Sequence, residues 1–249
     1  MCIRDSRNWS TKEIPDHMPD HIDTHVAVWS PAPRKQEKAD LVKLFHTDLD
    51  KLKIFIINVE AFSTPKGVKF TENFILGHQV LFAVDESTTI KNPKASRTKA
   101  ITKLAKNTKY RRILTGSPIT QSPLDLYSQT EVLETNLLGY TSYYSFQNHY
   151  GEVVNRYFGG RTVRQVVGYR NLDELSQKLD SFSYRVLKSD CLDLPEKLYI
   201  RRDVTLTAEQ KKLYAELKEL AITELANQET VSVTNVLTQL LRLHQIVCG

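Results

Sequence analysis

A short apolar run that ends in two adjacent carboxylates constrains the fold of this chain most. Residues Leu81 to Val84 form a continuous apolar segment, followed directly by Asp85 and Glu86, and such a run is typical of a strand buried on both faces of a parallel sheet. A second extended segment runs into Ile113 to Pro118. Between them, Ser96 to Lys106 carries apolar residues at helical spacing, with its first residue as a candidate N-cap. The pattern predicts a strand–helix–strand unit with parallel strands and a right-handed crossover.

The carboxyl ends of these two strands predict a ligand site. Parallel strands deliver their ends to the same edge of a sheet, where open α/β sheets bind their ligands. We therefore expect Asp85 and Glu86 to lie beside Thr115, Gly116 and Ser117. Two carboxylates next to a hydroxyl-bearing turn suit a site that holds hydrated Mg²⁺ and positions an attacking water. An acidic turn that only closes a strand is the alternative for the Asp-Glu pair taken alone.

Three segments of this region resemble a known family. Val84 to Ser87, Ile90 to Ser96 and Leu114 to Ile119 are similar to motif II, its following signature and motif III of the Swi/Snf-type branch of superfamily-two helicase-like ATPases. The Ile-Lys-Asn step in the second segment separates this branch from ordinary helicases and disfavours an RNA helicase. The resemblance runs from about Trp9 to Cys248. The residues of Ser122 to Gln129 and of the C-terminal end look more like those of the viral and phage members than those of the chromatin remodellers.

The resemblance implies an α/β fold, with a RecA-like parallel sheet flanked by helices as an incomplete first lobe, a mostly helical insertion and the start of a second lobe. On this interpretation residues 7–135 belong to lobe one, from motif Ia to motif III. Residues 136–195 form an aromatic-rich insertion with a β-hairpin, 196–234 form a strand, a helix and a hinge, and 235–249 begin lobe two.

The resemblance also implies roles for individual residues. Asp85 would hold the Mg²⁺ shell of bound ATP, and Glu86 would orient or deprotonate the attacking water. Thr115, Gly116 and Ser117 would sense the nucleotide state and relay it to the nucleic-acid groove. The nucleic-acid contacts are expected from five loop and helix-start residues: Asn58, Ser63, Lys91, Asn92 and Arg97. At the first two of these, a plain strand-to-loop transition is the alternative.

The phosphate-binding loop of motif I is not found in this chain. None of the nine glycines is followed by lysine, so the Gly-x-x-x-x-Gly-Lys-Ser/Thr pattern is absent, and Asn8 to Ile14 resembles the end of motif Ia. We therefore expect a chain truncated at both ends, with true loss of motif I as the alternative. Without the lysine loop, and without the arginine fingers that this family takes from lobe two, the chain alone is predicted not to hydrolyse ATP measurably.

Charge and cysteine usage narrow the partners. The net charge of +5 and the pI near 9.0 favour an anionic partner. The segment between Ser87 and Leu124 has no acidic residue, although a solvated helix face is the alternative explanation for its charge. Its basic residues are Lys91, Lys94, Arg97, Lys99, Lys103, Lys106, Lys109, Arg111 and Arg112.

The three cysteines have no paired spacing, so neither a zinc site nor a disulfide framework is indicated. No apolar stretch approaches the roughly 18 residues of a membrane span.

Other local patterns predict individual elements. A turn is expected over Thr64 to Gly67, and a β-hairpin around a Gly-Gly turn over Val153 to Val167. Capping-box spacing predicts helix starts at Asn171 and Thr207, and Leu198 to Val204 is expected to be a strand. The aromatic run before the hairpin is expected to form a small core of its own, with base stacking as the alternative.

These observations predict an ATP-dependent translocase or helicase that couples ATP hydrolysis to movement on double-stranded DNA. The expected cofactors are ATP and Mg²⁺, and the expected location is the cytoplasm of a bacterial or phage-infected cell. Protein partners are unknown, and no membrane is involved. The alternative is a non-catalytic nucleic-acid-binding module that retains the helicase fold.

Overall fold

The computed structural model describes residues 8–46, 51–191, 198–201, 203–227 and 233–248. The chain forms two compact units, divided between Arg185 and Val186. In these described ranges, no helix combines the length and apolar character needed to cross a membrane. The lobe and insertion boundaries inferred from the sequence remain predictions.

The first unit is built on two pairs of parallel strands. β1 (Thr24–Val28) pairs with β2 (Leu52–Ile56), and β3 (Leu81–Val84) pairs with β4 (Tyr110–Ile113). The predicted strand–helix–strand unit is confirmed, as is the predicted α/β class with parallel strands flanked by helices. Within the described residues the strands form two separate pairs rather than one continuous sheet.

Helices connect and cover these strands. In chain order they are α1 (Ile14–His17), α2 (Lys35–Lys43), α3 (Pro65–Gly77), α4 (Ser96–Ala105), α5 (Leu126–Leu133), α6 (Tyr143–Tyr150), α7 (Leu172–Asp180), α8 (Lys188–Cys191), α9 (Ala208–Asn227) and α10 (Val233–Cys248). A π-helical turn covers Trp9–Glu13, and 3-10 turns cover Val59–Ser63, Ser87–Ile90 and Pro123–Asp125. The expected N-cap at Ser96 is wrong by one residue, because Ala95 occupies the cap and Ser96 is the first helical residue.

The main core joins β3 to the helices around it. Val84, Ile101 and Val132, from β3, α4 and α5, are among its fully buried members. The prediction that β3 is buried on both faces is wrong, since Leu81 is 61% exposed. Among the described strands β3 has β4 as its single hydrogen-bonded neighbour. Val84, at the carboxyl end of β3, is fully buried in the core, and Phe82 packs against the core while only partly buried.

Helix α3 begins at Pro65, inside the segment that was predicted to be a turn. Thr64 caps it by accepting a hydrogen bond from the Gly67 backbone N–H at 3.3 Å, and Pro65 occupies the first helical position, which suits its fixed φ. The predicted turn over Thr64 to Gly67 is therefore wrong. Gly67 packs directly on the carbonyl of Ala61, at a spacing that leaves no room for a Cβ.

A second core cluster joins α5 and α6 to α7. Phe146 and Tyr150 are fully buried in it, so the prediction that the aromatic run forms a core of its own is confirmed. The capping box predicted at Asn171 is wrong, because Asn171 adopts a left-handed conformation with φ 56° and makes no side-chain cap. Glu174, the other half of that predicted box, instead binds Lys178 Nζ at 2.8 Å and His149 Nε2 at 2.8 Å. Those two contacts lower the pKa of Glu174 to about 2.

The hairpin predicted after α6 is confirmed. It consists of β5 (Gly151–Phe158) and β6 (Arg161–Tyr169), which pair in antiparallel fashion with an irregularity between Glu152 and Val153. Gly159 and Gly160 form the turn with φ values of 51° and 83°, which a glycine adopts without strain.

The second unit contains the contacting helices α9 and α10. The predicted capping box is confirmed: Thr207 Oγ1 accepts from the Gln210 N–H at 3.2 Å, and Gln210 Oε1 accepts from the Thr207 N–H at 3.0 Å. The strand predicted over Leu198 to Val204 is wrong, because the described residues of that range pair with no other strand. The polar hinge predicted over 227–234 falls mostly outside the described residues.

We predict that Gly67→Ala destabilises the first unit by about 1–3 kcal/mol, because the added methyl group would force α3 away from the Ala61 carbonyl. Urea unfolding followed by circular dichroism measures the effect. Gly77→Ala is the matched control at the other end of α3. Its added methyl would meet nothing within 4 Å, so we expect no loss and a gain of up to about 1 kcal/mol. Equal stabilities for the two variants would contradict the close approach at Gly67.

Candidate functional site

Hydrogen bonds hold the ends of β3 and β4 side by side beyond the strands themselves. The Leu114 N–H donates to the Val84 carbonyl at 2.8 Å, and the Ser87 N–H donates to the Leu114 carbonyl at 3.0 Å. Neighbouring strands lie about 4.8 Å apart in this direction. The segments after the two strands therefore leave the sheet at one edge, which is the arrangement predicted for Asp85 and Glu86 with Thr115, Gly116 and Ser117.

The two carboxylates stand on a sharp bend of the backbone. Glu86 has φ 48° and ψ 54°, a left-handed conformation that is uncommon for residues other than glycine. Asp85 Oδ1 accepts from the Glu86 N–H at 2.9 Å, and the Thr89 N–H donates to the Glu86 carbonyl at 3.0 Å. Asp85 is half-buried and Glu86 is exposed. Such a conformation costs about 1–3 kcal/mol and is concentrated at functional sites.

The turn after β4 is ordered by its own hydroxyl groups. Thr115 Oγ1 accepts from the Ser117 N–H at 3.2 Å, and Ser117 Oγ donates to the Ile119 carbonyl at 3.2 Å. Gly116 is exposed, and a Cβ at this position would meet nothing within 4 Å. Neither packing nor a positive φ therefore requires glycine here, and the edge above the strands has open space next to the two hydroxyls.

A buried hydrogen-bond network that the sequence interpretation missed links the two segments. Ser87 Oγ donates to Gln129 Oε1 at 2.6 Å, and both residues are almost completely buried. Gln129 Nε2 donates to the carbonyls of Pro118 and Asp125, each at 2.8 Å. One acceptor and both amide hydrogens are used, so the orientation of the amide is determined by its partners. We call Ser87, Gln129 and these two carbonyls the buried relay.

A second link lies nearer the surface, at the loop after the Asp-Glu pair. Lys91 Nζ donates to Thr120 Oγ1 at 2.6 Å and lies 3.7 Å from Asp125 Oδ2. Partial burial raises the pKa of Asp125, but hydrogen bonds from Gln121 and Thr120, together with the charge of Lys91, outweigh it and the pKa is lowered. Lys91 was predicted to contact nucleic acid, and in this structure its ammonium group connects two loops of the protein.

The other residues predicted to bind nucleic acid occupy neighbouring elements. The 3-10 turn that ends at Ser63 packs against α4, near whose start Arg97 lies. Asn58 Oδ1 accepts from the Ala61 N–H at 2.9 Å and so caps this turn, while Ser63 is exposed. Asn92 is exposed and accepts from the Lys94 N–H at 2.9 Å. The Nε of Arg97 is buried without a hydrogen-bond partner.

The carboxylate edge fits a magnesium ion that is bound together with a nucleotide. In the described ranges, no three His, Cys, Asp or Glu side chains are grouped closely enough to hold a metal ion by themselves. Mg²⁺ in nucleotide sites needs only one or two carboxylates, because phosphates and waters complete its shell. The half-buried Asp85 at a strand end meets this smaller requirement. The phosphate-binding lysine loop is not among the residues of this chain.

Comparison with known proteins gives a family match across almost the whole chain. The model of the SNF2-related domain family matches residues 5–249. The human helicase-like transcription factor is 30% identical over an alignment of 179 residues, and the match covers 66% of this chain and 16% of that protein. The mouse DNA annealing helicase and endonuclease ZRANB3 is 33% identical over 138 residues, which are 55% of this chain and 13% of that protein.

Among solved structures, the Sulfolobus solfataricus SWI2/SNF2 ATPase core in complex with dsDNA is similar to this chain with a TM-score of 0.40 and 23% identity. The match covers 92% of this chain and 48% of that one. The chain thus spans only a minor part of the curated relatives reported above, 16% and 13% of their lengths.

We predict that Gln129→Leu destabilises the first unit by about 2–3 kcal/mol, because it leaves the buried Ser87 hydroxyl and two carbonyls without partners. In a double-mutant cycle with Ser87→Ala, we expect a coupling energy of about 1 kcal/mol. Urea unfolding of the four proteins measures both quantities.

Ser128→Ala is the matched control for the buried relay. Ser128 is buried in α5 next to Gln129, but its hydroxyl has no hydrogen-bond partner. We expect this variant to be unchanged or slightly stabilised, since alanine favours helix and an unsatisfied group is removed. A Gln129→Leu variant as stable as Ser128→Ala would show that the relay contributes nothing to the fold.

Proposed function

Since this chain belongs to the family of SNF2-related domains, we propose that it carries the hydrolytic carboxylates of an ATPase that acts on double-stranded DNA. The observation that carries the proposal is the pairing of the β3 and β4 ends, with the Asp85-Glu86 bend beside the Thr115–Ser117 turn. Coupling of ATP hydrolysis to motion needs a turn that senses the nucleotide next to the carboxylate that activates the attacking water. In the proposed site, one sheet edge carries both.

In the proposed site, each residue has a role that follows from its position. Asp85 would hold the coordination shell of a magnesium ion, and this ion, bound together with ATP, would neutralise the phosphate charge. Glu86, the exposed carboxylate on the bend, would orient and deprotonate the attacking water. Thr115 and Ser117 would respond to the nucleotide, and their turn would transmit the response through the Pro118 carbonyl to Gln129.

Double-stranded DNA is the proposed polymer. The basic segment from Lys91 to Arg112 carries no acidic residue and gives a positive surface around α4, as expected for phosphate contacts. The relatives include a DNA annealing helicase, which supports the same choice of polymer. We propose that the intact protein moves along duplex DNA, with Asn58, Ser63, Asn92 and Arg97 on the side that meets it.

We further propose that the working protein is longer than this chain, is of the viral or phage type, and acts in the cytoplasm of a bacterial or phage-infected cell. The missing Gly-Lys loop and the small share of the relatives that the chain covers support the greater length. The sequence of Ser122 to Gln129 supports the viral or phage type. A non-catalytic DNA-binding module is the second candidate, and the same missing loop is the observation that favours it.

We predict that Glu86→Gln lowers DNA-stimulated ATP hydrolysis by the longer gene product about 10²- to 10⁴-fold, because the general base is lost. Phosphate release with and without duplex DNA measures this. Glu134→Gln is the control, as it makes the same change at another exposed glutamate, and we expect its rate to be unchanged. The 249-residue chain alone should hydrolyse nothing measurable. A longer protein that binds DNA without hydrolysing ATP would establish the non-catalytic module instead.

A further inference from the structure

The β5–β6 hairpin stands out from the rest of the first unit because both of its faces are exposed. Tyr157, Val163 and Val167 are 74%, 48% and 50% exposed. Near its base, Val166 packs against the second core cluster. The eight residues of β5, at about 3.4 Å each, reach roughly 27 Å. A two-stranded hairpin of this kind has little stability alone, and a binding partner would stabilise it. A surface of this length suits a long, linear partner.

The charge of the hairpin indicates what that partner is. Four exposed arginines lie on it or directly after it, and we call them the hairpin arginines: Arg156, Arg161, Arg164 and Arg170. The strands contain a single carboxylate, Glu152, near the base. In the described part of the chain none of the four arginines forms an ion pair with an acidic side chain. Guanidinium groups left without carboxylates in this way are suited to phosphates, which they bind through two parallel hydrogen bonds.

The two arginines nearer the base are already positioned by the protein. Arg164 Nη2 donates to Asn148 Oδ1 at 2.5 Å, and Arg170 Nη2 donates to the Asn148 carbonyl at 2.6 Å. Both line an open cleft of about 670 Å³ between α6 and the hairpin. Among the described residues, the side chains of Arg156 and Arg161, nearer the turn, make no hydrogen bond. The strand register places these two arginines on one face of the hairpin and Arg164, which pairs with Asn155, on the other. Arg156 and Arg161 can therefore be changed without removing an internal contact.

One exposed aromatic ring connects the hairpin to the loop predicted to bind nucleic acid. The guanidinium of Arg164 lies 5.9 Å from the centroid of the Tyr144 ring, and Lys94 Nζ lies 6.0 Å from the same centroid. Tyr144 is 51% exposed, and Lys94 follows Lys91 and Asn92 in the signature loop. Both cations therefore lie within about 6 Å of one ring, the distance at which a cation is attracted to an aromatic face. The positive surface thus continues from the start of α4 to the hairpin.

We propose that the hairpin forms a second DNA contact that grips the phosphate backbone of a duplex already held at the sheet edge. Arg164, with Tyr144 and Lys94, lies on one face of this contact, and Arg156 and Arg161 lie on the other. The arginines contact phosphates, so the grip is independent of base sequence. This inference rests on the proposed function in its choice of DNA as the polymer. It does not depend on ATP hydrolysis, because none of these residues belongs to the carboxylate edge.

The test is the salt dependence of duplex binding by the 249-residue chain. For the double variant Arg156→Gln/Arg161→Gln, we expect the slope of log Kd against log salt to fall by about 2, since each phosphate contact contributes about 0.9. We expect affinity to fall about tenfold or more at low salt. Arg156→Lys/Arg161→Lys keeps the charge and should retain the slope. Lys35→Gln/Lys38→Gln, two exposed residues of α2, removes the same charge elsewhere and should leave binding near that of the wild type.

An unchanged slope for the Arg→Gln pair, or an equal loss from the Lys→Gln pair, overturns the inference. In the longer gene product, the Arg→Gln pair should raise the DNA concentration that gives half-maximal ATPase stimulation while the rate without DNA stays unchanged. If the longer gene product without substitutions shows no ATPase activity, that result counts against the proposed function only. Duplex binding by the 249-residue chain still tests the hairpin.

Discussion

The parallel pairing of β3 with β4 is the constraint on which the candidate site depends. Two backbone hydrogen bonds, between Leu114 and Val84 and between Ser87 and Leu114, extend this pairing past the strand ends. They place the Asp-Glu bend and the threonine–serine turn next to each other, and the side-chain hydrogen bonds of the described residues stay within each segment. The site is therefore positioned by the backbone, and its side chains remain available to a ligand.

The parts of the fold that a sequence can predict are those with a strong local signal. The apolar run of β3, the helical spacing of α4 and the Gly-Gly turn of the hairpin each identified an element correctly. Two of the predictions that failed depended on neighbours that the local pattern does not specify. Leu81 is exposed because β3 has one strand neighbour among the described residues. Glu174 does not cap its helix because Lys178 and His149 compete for its carboxylate.

The difference between local signals and tertiary contacts also explains why the sequence did not indicate Gln129. The Asp-Glu pair and the hydroxyl-bearing turn are recognisable as motifs, but Gln129 lies in a helix and belongs to no such motif. A glutamine at a buried helical position was the available signal, because a buried amide must find partners. Lys91 shows the reverse case, since its charge suggested an external phosphate while the structure gives it Thr120 and Asp125 as partners.

The buried relay and the hairpin arginines differ in how strongly solvent competes with their contacts. Every donor and acceptor of the Gln129 amide has a partner in the interior, so displacement of the Pro118 carbonyl breaks a hydrogen bond where water cannot replace it. A shift of the turn after β4 is thereby transmitted to α5. Contacts between the exposed arginines and phosphates are screened by salt and exchange with solvent. In the proposed function, the protein would use both kinds of contact, because the stiff buried link would respond to the nucleotide while the weak, replaceable contacts would allow each step along DNA.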